Sequence, residues 1–151
     1  MANPSDTTDY IAGFIANIQA VIQNYKDFIG YSVLETNDDA FIAKYPAITV
    51  EFDSMTEEWK SIPKRKTIIA NFSITYYFGS ISDKGVRRGL RTGLSKLSNC
   101  LRERWNMNGY CPDLGSEILS VIPYVLASGD EIIAGGVISL QCRKVISVEL
   151  S

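Results

Sequence analysis

The chain has 151 residues, 46% hydrophobic and 21% charged, with 15 Lys and Arg against 17 Asp and Glu and no histidine at all. That length suits a single domain, 1–151, able to bury a core without disulfide or metal staples. Lack of histidine removes His-based acid–base catalysis, every Ser-His or Cys-His nucleophile and most transition-metal sites.

The longest apolar run, Val121 to Ala127, falls far short of the ~20 residues a membrane-spanning helix requires. Met1 to Asp6 shows no basic region followed by an apolar one, so neither a signal peptide nor a membrane is expected, and synthesis in a cytosol is. Cys100, Cys111 and Cys142 form no CxxC pair, which favours reduced thiols, two of them buried and one in a loop. Asn71-Phe72-Ser73 fits a glycosylation sequon, but its place in mid-strand argues against use. The net charge of −2 conceals a segregation. Residues 1–60 carry 3 basic and 10 acidic side chains, residues 61–105 carry 10 and 2, and residues 106–151 carry 2 and 5. Patches of opposite sign within one domain can mate between copies, meet a polyanion or neutralise each other within one subunit.

In chain order, residues 1–5 are expected to fray, and Asp6 or Thr7 to cap a helix with Asp9 in its first turn. Apolar residues from Tyr10 to Ile29 then recur at helical spacing until Gly30 stops them. Tyr31 to Glu35 reads as a short strand, and Asn37 to Asp39 as a turn before one helical turn over Ala40 to Lys44. Pro46 opens a strand with Ile48, Val50 and Phe52 on one face and Thr49, Glu51 and Asp53 on the other. Residues 53–65 read as a long loop or arm, which places Trp59 as a partner anchor and suggests ordering on assembly.

From Lys66 the chain alternates cleanly, Ile68, Ala70, Phe72, Ile74, Tyr76 and Phe78 against polar neighbours. A second helix, capped by Ser82 or Asp83, follows, with Val86, Leu90, Leu94, Leu97, Leu101 and Trp105 in one stripe. Gly85, Gly89 and Gly93 beside that stripe predict a groove closely approached by the sheet or a neighbouring subunit, since each costs the helix ~1 kcal/mol. Glu117 to Ala127 reads as an edge strand, because Pro123 cannot donate to a ladder. Ser128-Gly129-Asp130 turns the chain into a long last strand, Glu131 to Leu150, with bends at Gly135-Gly136 and Gln141 to Lys144. The pattern predicts an α+β fold, a two-layer sandwich of one mostly antiparallel sheet with two helices on one face. Ile15, Ile18, Ile22, Ile68, Phe72, Ile74, Leu90, Leu94, Leu97 and Leu101 are expected to share its core.

Catalytic and nucleotide-binding motifs are absent, and the carboxylate pairs Asp38-Asp39 and Glu57-Glu58 lack a third ligand at metal spacing. No enzyme, cofactor or metal is therefore expected. Lys84, Arg87, Arg88 and Arg91 crowd the start of the second helix, where the helix dipole disfavours cations. Stability alone would not put them there. Together with Lys64 and Arg65 they are expected to face Glu51, Asp53, Glu57 and Glu58 of a neighbouring subunit. A nucleic-acid-binding module using the basic helix 84–104 is the alternative reading of the same charges, against a net acidic chain with no DNA-binding signature.

The order of helix, Tyr45-Pro46-Ala47-Ile48 strand, long loop, alternating strand Ile68–Phe78, Asp83-capped helix with Arg and Leu, and terminal long hairpin resembles the tail terminator and tail completion proteins of tailed bacteriophages. The likeness runs from Tyr10 onward. It implies a small α+β subunit in a closed ring, typically a homohexamer, that caps the tail tube, stops its polymerisation and joins tail to head. The implied partners are the tail tube protein and head–tail connector proteins, with DNA passing through the ring without sequence-specific contact. The implied place is the tail or neck of a virion assembled in the host cytoplasm; another connector of the neck is a second possibility. The family has no catalytic residues to carry over, and the glycine-rich second helix departs from its pattern.

Overall fold

The computed structural model describes residues 9–35, 47–60, 65–80, 86–128 and 131–147. Its elements are α1 (Tyr10–Gln23), β1 (Ser32–Glu35), β2 (Ala47–Lys60), β3 (Arg65–Ser80), α2 (Val86–Glu103), β4 (Gly115–Ser128) and β5 (Glu131–Ser147). Alternation makes β3 a strand with Ile68, Ala70, Phe72, Ile74 and Tyr76 buried on one face and Thr67, Ile69, Asn71 and Ser73 half-buried on the other. It is the middle of a five-stranded sheet in the order β1-β2-β3-β5-β4. Only the β1–β2 pair is parallel; β2–β3, β3–β5 and β4–β5 are antiparallel.

Both helices lie against the face that holds Phe72. α1 packs on β1 and β2, α2 packs on β3, β5 and β4, and the helices touch each other. The Cys100 thiol of α2 donates to the Val21 carbonyl of α1 at 3.7 Å. The expected core forms as one cluster, all ten residues included, with Phe14, Phe28, Tyr76, Ile138 and Leu140 added to it. Each fully buried Leu, Ile or Phe contributes about 1.5–3 kcal/mol, so this cluster holds the layers together. The α+β sandwich is the fold.

The glycines of α2 have a packing cause. A Cβ on Gly93 would lie 2.6 Å from the Tyr76 hydroxyl, and one on Gly89 would lie 2.4 Å from the Phe78 ring. The approach is thus by aromatic side chains of the sheet; Gly85 lies outside the described residues. Gly136 does the same for the other layer, because a Cβ there would meet both terminal carbons of Leu94 at 2.7 and 2.8 Å.

Several local expectations are corrected. α1 stops at Gln23, after which turns carry Phe28 into the core and leave Ile29 at the surface. Asp9 is itself the cap, its carboxylate accepting from the Ala12 N–H at 3.0 Å. Asp6, Thr7, the 37–44 segment and Ser82-Asp83 lie outside the described residues. α2 ends at Glu103, and Trp105 leaves the stripe to stand 46% exposed. Gln141 to Lys144 pair regularly, and the irregularity expected at Gly135-Gly136 belongs to the partner strand, where the register skips Phe78. All three cysteines are free and buried.

The largest correction concerns 53–65. Residues 53–60 continue β2, pairing with β3 from Asn71 down to Arg65 after a bulge at Asp53. The segment is an arm of paired strand, stiffened further by β5, which runs beside β3 as far as Ser147. The rest of that segment, 61–64, lies outside the described residues.

Candidate subunit interface

β1 covers β2 only from Ala47 to Val50, so from Glu51 onward β2 has β3 on one side and no strand among the described residues on the other. Glu51, Asp53, Glu57, Glu58 and Trp59 are all exposed there, brought together as the sequence suggested. The bulge decides how they face. Phe52 sits opposite Phe72, but Met55, Glu57 and Trp59 then sit opposite Ala70, Ile68 and Lys66 on the helix side. Glu51 and Glu58 point to the open face, opposite Ser73 and Thr67. A one-residue insertion exchanges the faces of every residue after it.

The carboxylates are not equally available. Glu57 meets Lys66 at 3.5 Å, the one ion pair among the described residues. The Lys66 ammonium also lies 5.4 Å from the Trp59 ring and 5.8 Å from the Tyr10 ring. Asp53 accepts from the Ser73 hydroxyl at 2.6 Å. Glu51 and Glu58 show no partner among the described residues. Lys66 was not among the expected interface residues.

The basic residues divide. Arg91 is exposed on α2, where Arg87 and Arg88 occupy the first turn with their side chains outside the described set; Lys84 and Lys64 lie outside it altogether. Arg65, grouped in the sequence with the arginines of α2, instead pairs with Lys60 at the tip of the arm. It opens the 16-residue β3, whose far end leads to α2. Lys96, Arg102 and Arg104 are exposed too and enlarge the basic surface, while the nearby Glu103 carboxylate is engaged by the Tyr25 hydroxyl. That bond pushes the Tyr25 hydroxyl up to about 12.

The acids of β2 and the cations of α2 therefore lie on opposite flanks, although Arg65 and Lys66 share the arm and Asp113 and Glu117 stand exposed at the β4 side. α2 overlies the β3, β5 and β4 side of the sheet, and the acidic edge is β2 on the other. Between them, on the face away from the helices, runs a polar ladder. Arg143 donates to the Gln141 amide oxygen at 3.1 and 2.9 Å, Gln141 to Asn71 at 3.1 Å, and Asn71 to Ser54 at 3.0 Å. The Asn71 amide is thus spent in the sheet, in keeping with an unused sequon.

A cleft of about 430 Å³ lies between α2 and the aromatic end of β3, lined by Phe28, Tyr31, Tyr76, Phe78 and Lys96 among others. Burial pushes the Tyr76 hydroxyl up, so it is no base. Among the described residues no group of three or more Cys, Asp or Glu is placed to hold a metal ion. No helix among them is long and apolar enough to cross a membrane. No protein-family model and no curated protein matches the chain.

Proposed function

We propose that this protein is a non-catalytic structural subunit that closes into a ring, in the manner of the tail terminator and completion proteins its sequence resembles. The observation that carries this reading is the placement, among the described residues, of Glu51, Asp53, Glu57 and Glu58 on the β2 edge and of Arg91, Lys96, Arg102 and Arg104 on α2 and the turn after it, with one ion pair, Glu57 to Lys66, between them and the rest. Two different complementary patches on one subunit make a head-to-tail contact, which closes into a ring when its rotation divides a full turn. In the virion such a ring would end the tail tube and meet the head–tail connector, with DNA passing through.

Light scattering tests the reading. The wild-type chain is expected to run as a defined oligomer, weakened modestly by salt. Each exposed ion pair contributes only ~0.2–1 kcal/mol, so charge sets register and association rate more than affinity. Arg87→Glu with Arg91→Glu is expected to leave the fold intact and weaken the ring, and Glu57→Lys with Glu58→Lys to restore part of it. A monomeric wild type at high concentration overturns the proposal. The basic surface of α2 supports the nucleic-acid alternative, in which the arginine variant would instead lose salt-sensitive binding to duplex of any sequence.

A further inference from the structure

The cleft between α2 and the far end of β3 is built on a run of aromatic rings. Phe28 meets Tyr31 edge to face at 5.2 Å, Tyr31 stacks with Tyr76 at 6.3 Å, and Tyr76 with Phe78 at 6.1 Å. Tyr76 and Phe78 rest on Gly93 and Gly89, so rings and glycine backbone make the apolar part of the lining. Thr92 and Lys96, one turn apart on α2 and both exposed, make the polar part with the two tyrosine hydroxyls. The volume of about 430 Å³ is that of a pocket for one small ligand, a class that runs from about 300 to 1,000 Å³.

Every polar side chain of that lining carries a proton to donate, and none is acidic. Thr92 and Lys96 make no side-chain hydrogen bond or ion pair among the described residues. The Tyr76 hydroxyl donates to the Tyr31 oxygen, a bond that joins burial in holding the Tyr76 proton in place. A hydroxyl that accepts in this way keeps its own proton, so the Tyr31 O–H is left for an acceptor outside the fold. The charges around the rim do not reverse this balance. Lys26 and Asp27 precede Phe28 and offset each other, Arg91 stands exposed beside Thr92, and Glu103, two turns past Lys96, is engaged by Tyr25.

We propose that this cleft binds a small planar aromatic anion, with its ring system against Tyr31 and Phe78 and its acid group on Lys96. The Thr92 and Tyr31 hydroxyls supply the further donors that an anionic oxygen accepts from. Stacked or edge-on contact with the rings rewards a flat aromatic body over a branched aliphatic one. The same rings could attract a cation through their faces, but the Lys96 ammonium at the cleft opposes one. No residue of the β2 edge lines the cleft, and Lys96 alone is shared with the basic surface of α2, so the site does not depend on the ring reading.

Naphthoate, naphthylmethanol and naphthylmethylamine share one ring system and differ in charge, which makes them the probes. Titrated into the wild-type chain and followed by calorimetry and amide NMR, naphthoate is expected to bind at millimolar concentration or below and to shift the Gly89, Gly93 and Lys96 amides. The alcohol is expected to bind about threefold to tenfold more weakly, and the amine more weakly still. Lys96 is exposed, so Lys96→Gln is expected to keep its circular dichroism while bringing acid and alcohol to within about twofold of each other. An amine that binds as well as the acid would make the cleft a cation cage, and an alcohol that does so would leave Lys96 without a part. Either result overturns the proposal. So does naphthoate that moves no amide around the cleft, or that binds Lys96→Gln as tightly as the wild type.

Discussion

Leu94 and Gly136 make a pair whose coupling can be worked out from distance. Leu94 is 5% exposed, and its two terminal carbons fill the space a Gly136 side chain would need, at 2.7 and 2.8 Å from the ideal Cβ position. Leu94→Ala removes a buried isobutyl group from α2 and leaves a cavity between the layers, for a loss of about 2–5 kcal/mol. Gly136→Ala forces a methyl into an occupied space. Overpacking costs about 1–3 kcal/mol, offset by about 0.4–1 kcal/mol from a less flexible unfolded chain. In the double variant the new methyl enters the space the leucine has vacated, so the second change costs little or becomes favourable. The expected coupling is about 1–2 kcal/mol, within the range for residues in contact. Urea unfolding of the four proteins measures it directly, with equal slopes as the condition for comparing them. Additivity within ~0.3–0.5 kcal/mol would show that α2 does not seat on Gly136 as described.

Asp9→Ala is expected to cost about 0.5–2 kcal/mol by urea unfolding through loss of the α1 cap, and Asp9→Asn to cost less because an amide oxygen can still accept. Burial holds the Cys111 thiol up to about 11 and the Cys100 thiol up to about 12. The unfolded chain releases these protons from ~8.5 upward while the folded chain keeps them, so the contribution is complete below pH ~8.5. It is lost as pH rises toward 11 and 12. Unfolding midpoints against pH are expected to fall across that window, and less steeply in a Cys100→Ala, Cys111→Ala variant. A midpoint as steep in the variant would assign the loss to other groups.

The layers were legible because each element carries one apolar face. Ile68 to Tyr76 and Leu90 to Leu101 have periods that differ, and each period specifies both element and buried side. What was not legible came from residues that act through other strands. The mixed acids, bases and Trp59 of 53–65 read as a long loop or arm between two strands. Residues 53–60 form strand because β3 beyond Phe72 is long and regular and offers its ladder to them, a tertiary override of local preference. Arg65 was misgrouped for a related reason: closeness in sequence to Lys66 said nothing of the strand's length between it and α2. The acids of β2 are exposed, and the partner that restrains Glu57, Lys66, lies across the hairpin.

Two inserted residues, Asp53 and Leu119, do more to shape the flanks than the charges do. Both adjoin the cross-strand row Phe52, Phe72, Leu140 and Ile118, one on each outer strand. If Asp53 took a place in the ladder instead of bulging out of it, strict alternation from Phe52 would turn Ser54, Thr56 and Glu58 toward the helix side. Met55, Glu57 and Trp59 would then join the open face, which carries the polar ladder. With the bulge, Met55 and Trp59 extend the helix-side surface past the start of α1, beside Tyr10 and Ile68. On β4, the register skips Leu119 and leaves it 53% exposed at the edge. Inserting one residue between Ser54 and Met55 is therefore expected to be more damaging to association than neutralising Asp53 as Asp53→Asn, because the insertion reverses the faces of the arm from Met55 onward while neutralisation removes one charge. Sedimentation of the two variants, with circular dichroism showing an intact sheet, separates the effects. Equal weakening by both would mean that charge alone makes the contact between copies.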